Sequence, residues 1–259
     1  GTSMLSAVLR RAGHETALVF DPGVFNDGHY FDIPGLRDIF SVRDRMVDAI
    51  AALEPDLLAF SVLTVHYQYF LEIAAEVKRR LDVPVIFGGI HPSAVPEVCL
   101  GNDCVDYVCV GEGEHAIVEL CDALEQNPGG PPLRPIANLC WRDGRGGMVR
   151  GPNAPFIQDL DGLPFADKEL WEGHVDLASE YRIMTGRGCA YRCTFCFNSF
   201  FAKLPGNGGG KFVRQRSVAN CIEELVHAKD RYGIRVVNFG DDIFTIYKEW
   251  VEEFAREYK

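Results

Sequence analysis

The chain has 259 residues, of which 47% are hydrophobic and 24% charged, a balance that supplies apolar material for two modest cores. The formal net charge of -11 disfavours broad capture of nucleic acid or anionic membrane, because both need clustered Lys and Arg. No apolar run approaches the roughly 20 residues that span a bilayer, and no signal-peptide pattern opens the chain. We therefore expect a cytoplasmic protein that acts on a small molecule, with no nucleic-acid partner and no membrane span.

The first half of the chain alternates between helical and strand patterns. Apolar spacing predicts a helix from Met4 to Ala12 that ends at Gly13, since glycine readily adopts the left-handed conformation. An apolar run at 17–20 and an irregular stretch around 21–40 follow. Buried-strand patterns then occur at 57–62, 85–87 and 107–110, and helical patterns at 46–53, 67–81 and 116–124. This alternation predicts an α/β domain with a doubly wound parallel sheet, Rossmann-like and flavodoxin-type.

The carboxyl ends of the three predicted strands carry small or polar residues. Sheets of this kind bind ligands outside these ends. The ends read Ser61-Val-Leu-Thr64, Gly88-Gly-Ile-His91 and Gly111-Glu-Gly-Glu114. Small residues at three neighbouring strand ends leave room for a large, flat ligand.

The middle of the chain changes character. Pro and Gly cluster at 128–132, and an Asp-Leu-Asp-Gly-Leu-Pro segment occupies 159–164. We expect a first domain at 1–126, a linker at 127–180 with a small hairpin formed by 137–141 and 147–150, and a second domain at 181–259.

The second domain begins with a strand pattern from Tyr181 to Thr185. Ser217 is a suitable N-cap for a following helix that closes at Gly233. Another strand pattern spans 235–239, and apolar residues around Trp250 indicate a last helix.

Nine cysteines in a reducing compartment do not predict a disulfide framework. Three of them, Cys189, Cys193 and Cys196, follow the spacing C-x3-C-x2-C on one loop. The other six are scattered inside strand and helix patterns, where we interpret them as small buried apolar residues: Cys99, Cys104, Cys109, Cys121, Cys140 and Cys221.

Three thiolates at this spacing can wrap one loop around a [4Fe-4S] cubane. A structural zinc site has four ligands, so a three-cysteine zinc site or a chance grouping is the weaker interpretation. A fourth iron without a protein ligand is an open position for a substrate or cofactor. Gly186 and Gly188 permit close backbone approach, and Arg187 and Arg192 place positive charge near an anionic cluster.

The segment from Gly186 to Asn198 resembles the cluster loop of the radical S-adenosylmethionine (radical SAM) superfamily, whose fold is a partial (β/α)6 barrel. The resemblance implies that the open iron chelates S-adenosylmethionine and that Phe195, before the third cysteine, lies near the adenine. It also implies that an electron from the reduced cluster cleaves the sulfonium bond and yields a 5'-deoxyadenosyl radical. A reducing partner such as flavodoxin or ferredoxin would supply that electron.

The strand that ends at Gly240-Asp241-Asp242 would be the second barrel strand of this family. A carboxylate there contacts the cofactor or caps the next helix, and the sequence leaves Asp241 and Asp242 open between these roles. The Gly-Gly-Glu segment that is frequent in the family after this strand is missing here.

The N-terminal half resembles the cobalamin-binding domain of the B12-dependent branch of the superfamily. The matching stretches are 5–14, 87–92 and 106–114, together with the linker phrase at 161–164. The resemblance implies that Ser61 and Leu63 lie against the corrin or its nucleotide tail. It also implies that Gly88 and Gly89 let the tail pass, and that Gly111, Glu112 and Gly113 border it.

Two further features concern the predicted cobalamin-binding domain. His91 and His66 follow buried strands, where a histidine is more often hydrogen-bonded than a cobalt ligand. Such a domain opens with a strand ahead of the first helix, whereas this chain begins inside the helix. We therefore expect the first strand of the domain to be missing, and the chain to be truncated at both ends.

The combined pattern predicts a cobalamin-dependent radical SAM enzyme that methylates an unactivated carbon, with cyclases and rearranging enzymes as close alternatives. A radical methylthiotransferase acting on RNA or protein is a second alternative, although Cys99, Cys104 and Cys109 lack the arrangement expected of its extra cluster ligands. A non-catalytic iron-sulfur or cobalamin-binding scaffold is the third.

Overall fold

The computed structural model describes residues 1–21, 42–145, 147–204 and 210–258. Apart from Asp21, the irregular stretch expected around 21–40 lies outside these residues. The chain divides into two compact units, which we name the sheet unit (Ala17–Pro152) and the cysteine unit (Gly1–Thr16 with Asn153–Lys259).

The first helix, α1 (Thr2–Ala12), belongs to the cysteine unit. It ends at Gly13, whose φ of 100° is left-handed, and this confirms the predicted stop. The sequence prediction instead placed α1 in the first domain, 1–126, and not with 181–259. Those boundaries stay a prediction.

A five-stranded sheet forms the centre of the sheet unit. Its strands are β1 (Leu58–Ser61), β2 (Val85–Gly88), β3 (Tyr107–Cys109), β4 (Leu139–Arg142) and β5 (Met148–Arg150). The first three are parallel in the order β1-β2-β3, whereas β4 pairs antiparallel with β3, and β5 antiparallel with β4. The α/β class is confirmed, and the parallel strands are extended by an antiparallel hairpin.

The helices of the sheet unit follow the predicted patterns, with two additions. They are α2 (Arg43–Leu53), α3 (Tyr67–Arg80), α4 (Ile90–Ala94), α5 (Pro96–Leu100) and α6 (Glu114–Gln126), with a 3-10 turn at Thr64–His66. Helices α4 and α5 were not predicted, because five-residue helices are too short to show a periodic pattern.

Continuous apolar runs form the buried strands of this sheet. Val85, Ile86 and Phe87 are all buried, as expected for a strand covered on both faces. One core joins α2 and α3 to β1, with Leu58 and Phe60 packed against it. Side chains alternate in β1 instead, with Leu58 and Phe60 partly buried and Ala59 and Ser61 exposed.

The cysteine unit contains two small strand pairs. The strands are β6 (Tyr181–Ile183), β7 (Gly186–Arg187), β8 (Arg214–Gln215) and β9 (Val237–Phe239), and the further helices are α7 (Asn198–Phe201), α8 (Val218–Tyr232) and α9 (Lys248–Glu257), with a 3-10 turn at Glu169–Trp171. β6 pairs parallel with β9, and β7 pairs antiparallel with β8. The parallel pair with its helices is the expected beginning of a barrel.

Helix α8 has the predicted ends. The Ser217 hydroxyl accepts the Asn220 amide at 3.1 Å, and Gly233 closes the helix with a left-handed φ of 63°. Glu224 on this helix is buried and paired with Arg216 at 2.5 Å, and it accepts a hydrogen bond of 3.0 Å from the Tyr181 hydroxyl. These contacts fix α8 against β6.

Among the described residues, we find no helix with both the length and the apolarity needed to cross a bilayer.

Candidate functional site

The three spaced cysteines lie on the loop between β7 and α7, which we call the cysteine loop (188–197). Glycine is required where the loop begins. At Gly186 a Cβ would lie 2.7 Å from the Arg214 carbonyl oxygen, and at Gly188, where φ is +84°, it would overlap the Phe212 carbonyl oxygen. The two glycines therefore permit the close pairing of β7 with β8.

The cysteine loop is exposed and internally hydrogen-bonded. The Cys193 carbonyl accepts the Cys196 amide at 3.1 Å and the Ser199 hydroxyl at 2.7 Å. The Tyr191 amide donates to the Cys189 sulfur over 3.4 Å. Phe195 is 91% exposed, so its ring is available to a ligand.

All nine cysteines are free thiols, but they occupy two different environments. Burial raises the pKa of Cys99 to about 11 and that of Cys221 to about 12, which keeps both thiols protonated near neutral pH. Burial also raises the pKa of the other scattered thiols, of which Cys109 and Cys140 are buried and Cys104 and Cys121 half-buried.

None of the loop cysteines is fully buried, since Cys193 is exposed and Cys189 and Cys196 are half-buried, whereas four of the six scattered cysteines are fully buried. In the described parts of the chain, no three His, Cys, Asp or Glu side chains converge closely enough to hold a metal ion. The loop thiols thus share one loop without meeting at a point. An iron-sulfur cluster is bound by soft sulfur donors, and this accessible loop supplies three of them.

The two aspartates after β9 contact the chain on either side of the cysteine loop. Asp241 accepts hydrogen bonds from the Thr185 amide at 2.9 Å and the Gly186 amide at 2.6 Å. Asp242 accepts the Asn198 side-chain amide at 2.9 Å. Helix α9 starts only at Lys248 and has no side-chain cap, so neither aspartate caps it.

The contact with Asp241 also explains where the first strand of this unit ends. The sequence predicted a strand to Thr185, but β6 ends at Ile183. The Thr185 amide donates to a carboxylate, as does that of Gly186, and the chain continues as β7.

A shallow cleft lies beside the start of the cysteine loop. It brings together both predicted aspartates and the backbone before Cys189. Its lining residues are Gly186, Arg187, Gly188, Val213, Arg214, Gln215, Asp241, Asp242, Ile243 and Ile246.

In the sheet unit, the ends of β1 and β2 are in close backbone contact. The Val62 amide donates to the Gly88 carbonyl at 2.7 Å. Gly89 has a φ of +103°, and a Cβ there would lie 3.0 Å from the Val62 nitrogen. Ser61 and Leu63 are exposed beside this contact, which leaves an open, partly apolar surface.

Ser93 connects two of the predicted glycine segments, although no sequence motif pointed to it. Its buried hydroxyl donates to the Gly89 carbonyl at 2.7 Å and accepts the Gly111 amide at 3.0 Å. The Asn138 side chain holds the next segment by donating to the Glu112 carbonyl at 2.9 Å. These contacts bring the ends of β2 and β3 together, with Gly113 directly before α6.

His91 is held by its neighbours at the end of β2. Its Nδ1 lies 3.2 Å from the Thr64 hydroxyl, and its ring lies 4.2 Å from the Tyr67 ring, centroid to centroid. Burial lowers the pKa of His91, which favours the neutral imidazole. The Nδ1 contact is of the hydrogen-bonded kind that the sequence favoured, while the buried Nε2 atom has no hydrogen-bond partner among the residues that the structure describes, so the role of His91 stays a prediction.

Comparisons with known proteins match each half of the chain to a known domain family. The family model of the B12 binding domain matches residues 1–121, and that of the radical SAM superfamily matches residues 183–259. This chain is a member of the radical SAM superfamily with a B12-binding domain. The predicted resemblance is therefore confirmed, and the cysteine loop falls inside the radical SAM domain.

An uncharacterized methyltransferase of Pyrococcus horikoshii is 30% identical to this chain over 255 residues, which are 95% of this chain and 52% of that protein. The chain thus spans about half the length of this curated relative.

Two solved structures share the fold of this member of the superfamily. TsrM of Kitasatospora setae, a radical S-adenosylmethionine methyltransferase solved with cobalamin and a [4Fe-4S] cluster, has a TM-score of 0.68 and 21% identity over 98% of this chain and 47% of its own. OxsB, a cobalamin-dependent S-adenosylmethionine radical enzyme solved with aqua-cobalamin and S-adenosylmethionine, has a TM-score of 0.72 and 17% identity over 99% and 34%.

Proposed function

We propose that this chain is the cofactor-binding part of a cobalamin-dependent radical SAM methyltransferase that acts on an unactivated carbon of a small molecule. The observation that carries the proposal is a B12-binding domain ahead of a radical SAM domain that presents three free, spaced cysteines on an accessible loop. When bound, the cluster would supply the electron that cleaves S-adenosylmethionine, and cobalamin would carry the methyl group.

In the radical SAM domain, Cys189, Cys193 and Cys196 would hold the [4Fe-4S] cluster. The exposed ring of Phe195 would pack on the adenine of S-adenosylmethionine. Asp242, beside the start of the loop, would contact the polar end of that cofactor.

In the B12-binding domain, Ser61 and Leu63 would provide the exposed surface against the corrin or its nucleotide tail. The backbone at Gly88 and Gly89 has no Cβ to obstruct the tail. The segment Gly111–Gly113 would border it, held in place by Ser93 and Asn138.

Methyl transfer is the reaction that the comparisons favour, since both the Pyrococcus relative and TsrM are named methyltransferases. The electron would come from a reducing partner such as flavodoxin or ferredoxin. We place the protein in the cytoplasm, where reducing conditions keep all nine cysteines as free thiols.

The test is anaerobic reconstitution of the chain with iron, sulfide and hydroxocobalamin, followed by addition of S-adenosylmethionine and a reductant. We expect iron and cobalamin to be retained and S-adenosylmethionine to be consumed. Cys193→Ala should reduce consumption at least 100-fold, whereas Cys121→Ala, at a half-buried position outside the loop, should leave it within twofold. A wild-type chain that holds zinc at the loop, or no metal, would refute the proposal.

A further inference from the structure

The polypeptide on both sides of the cysteine loop is held by two adjacent carboxylates. Before the loop, one oxygen of Asp241 accepts the Thr185 amide at 2.9 Å, the Thr185 hydroxyl at 2.9 Å and the Gly186 amide at 2.6 Å. After the loop, Asp242 accepts the Asn198 side-chain amide at 2.9 Å. Residues at the end of one strand therefore restrain both ends of the loop.

The strand pairing brings this carboxylate pair to the loop. β6 and β9 run parallel with Ile183 opposite Phe239, and the Gly240 amide donates to the Ile183 carbonyl at 2.8 Å. The chain after β9 is therefore anchored beside the chain that enters the loop.

Thr185 links Asp241 to β8 through its side chain. Its side chain is fully buried, and its hydroxyl donates to Asp241 while accepting the Gln215 side-chain amide at 3.0 Å. Gln215 belongs to β8, so three segments of the chain meet at this residue.

Both oxygens of Asp241 accept hydrogen bonds from its own chain, since Oδ2 also accepts the Thr185 amide at 3.2 Å. A carboxylate oxygen offers about two acceptor sites, and the Oδ1 atom of Asp241 already accepts three donors from its own chain. Hydrogen bonds to a charged acceptor are stronger than those between neutral groups. The geometry is that of a carboxylate that holds backbone in place.

We propose that Asp241 and Asp242 are positioning residues that fix the two ends of the cysteine loop and thereby set the geometry and electrostatics of the iron-sulfur cluster. The inference rests on the proposed function, since it assigns the pair a role toward that cluster. Negative charge beside the loop also makes the added electron less favourable, and so lowers the reduction potential of the cluster.

Two substitutions separate geometry from charge. Asp241→Asn keeps a carbonyl oxygen for the donors and removes the charge, whereas Asp241→Ala removes both. Asp230→Asn, at an exposed position on α8, is the matched control for the loss of one negative charge.

The first measurement is amide hydrogen exchange in the chain without iron. Asp241→Ala should speed exchange of the Thr185 and Gly186 amides at least tenfold, because both lose their acceptor. Asp230→Asn should leave these rates unchanged. Unchanged rates in Asp241→Ala would overturn the proposal whether or not a cluster binds.

The second measurement uses the chain reconstituted with iron and sulfide at limiting iron. Asp241→Ala should retain at most one third of the wild-type iron, while Asp241→Asn should load normally and reduce at a more positive midpoint potential in a paramagnetic-resonance titration. Failure of the wild-type chain to bind iron would refute the proposed function. A loaded wild type with variants equal to it in both iron content and potential would refute the positioning role alone.

The end of the loop is tested with a double-mutant cycle. Asp242→Ala and Asn198→Ala should lower iron loading by similar factors, and the double variant should be no worse than either single variant. Independent, multiplicative losses would contradict a direct Asp242–Asn198 contact.

Discussion

Backbone conformation at single glycines shapes the candidate cobalamin surface. Gly89 and Gly129 both have positive φ, +103° and +75° respectively, which a residue with a Cβ adopts only at a cost. They differ in their surroundings, because a Cβ at Gly89 would meet the backbone of Val62, whereas nothing lies within 4 Å at Gly129. The two positions therefore separate the steric contact from the conformational strain.

We predict that Gly89→Ala weakens hydroxocobalamin binding at least tenfold and destabilises the chain by about 2 kcal/mol. The substituted Cβ must push β2 away from the end of β1. Binding is measured by difference absorbance and stability by urea unfolding.

Gly129→Ala is the control for Gly89→Ala, and it should cost about 1 kcal/mol while binding cobalamin like wild type. Equal binding by the two variants would contradict the assignment of the Gly89 surface.

At the scale of elements, α1 is anchored by one buried carboxylate. Asp167 is only 6% exposed, and it accepts the Ser6 hydroxyl at 2.6 Å and the Arg10 guanidinium at 3.2 Å. The Trp171 indole donates to the Ser3 hydroxyl at 2.7 Å, a second contact between α1 and the same segment. The helix depends on these contacts because it has no side-chain N-cap.

We predict that Asp167→Ala destabilises the chain by roughly 1.5–3 kcal/mol near neutral pH, the usual contribution of a hydrogen bond to a charged group. Burial alone would raise the pKa of Asp167, but hydrogen bonds from Ser6 and Arg10 outweigh it and lower the pKa below its usual value. The stabilisation is therefore present above the unfolded-state pKa of about 3.9, and it is lost as the pH falls through the folded-state pKa.

Urea unfolding from pH 7 down to pH 3 measures this effect. The difference between the wild type and Asp167→Ala should be largest at pH 7 and should begin to shrink as the pH falls below about 4. Asp230→Ala should match the wild type throughout. A difference at pH 3 as large as that at pH 7 would show that packing, not the charge on Asp167, anchors α1.

At the scale of the whole molecule, the proposed cofactor residues fall into two units with separate cores. We predict that the two cofactors load independently. Cys193→Ala should lose at least 90% of the bound iron and keep hydroxocobalamin. Gly89→Ala should keep the iron and lose hydroxocobalamin. Iron analysis and cobalamin absorbance of the same reconstituted sample measure both, and loss of both cofactors from either variant would contradict the prediction.

Much of the fold follows from the sequence because its signals are local. The helix stops at Gly13 and Gly233 and the N-cap at Ser217 depend on residues a few positions apart, and the structure has all three. The cysteine spacing is local as well, so the superfamily was predicted from one short loop and then matched by the family model over residues 183–259.

The sequence by itself determined the α/β class, the order of most elements and the three thiols of the loop, since periodicity and spacing are properties of neighbouring residues. Only the tertiary structure decided that β4 adds antiparallel to β3, that Ser93 joins two glycine segments, and that Asp241 holds Thr185 from 56 residues away. These contacts join residues far apart in the chain, and their formation depends on how strands pair and side chains pack, which no local pattern specifies.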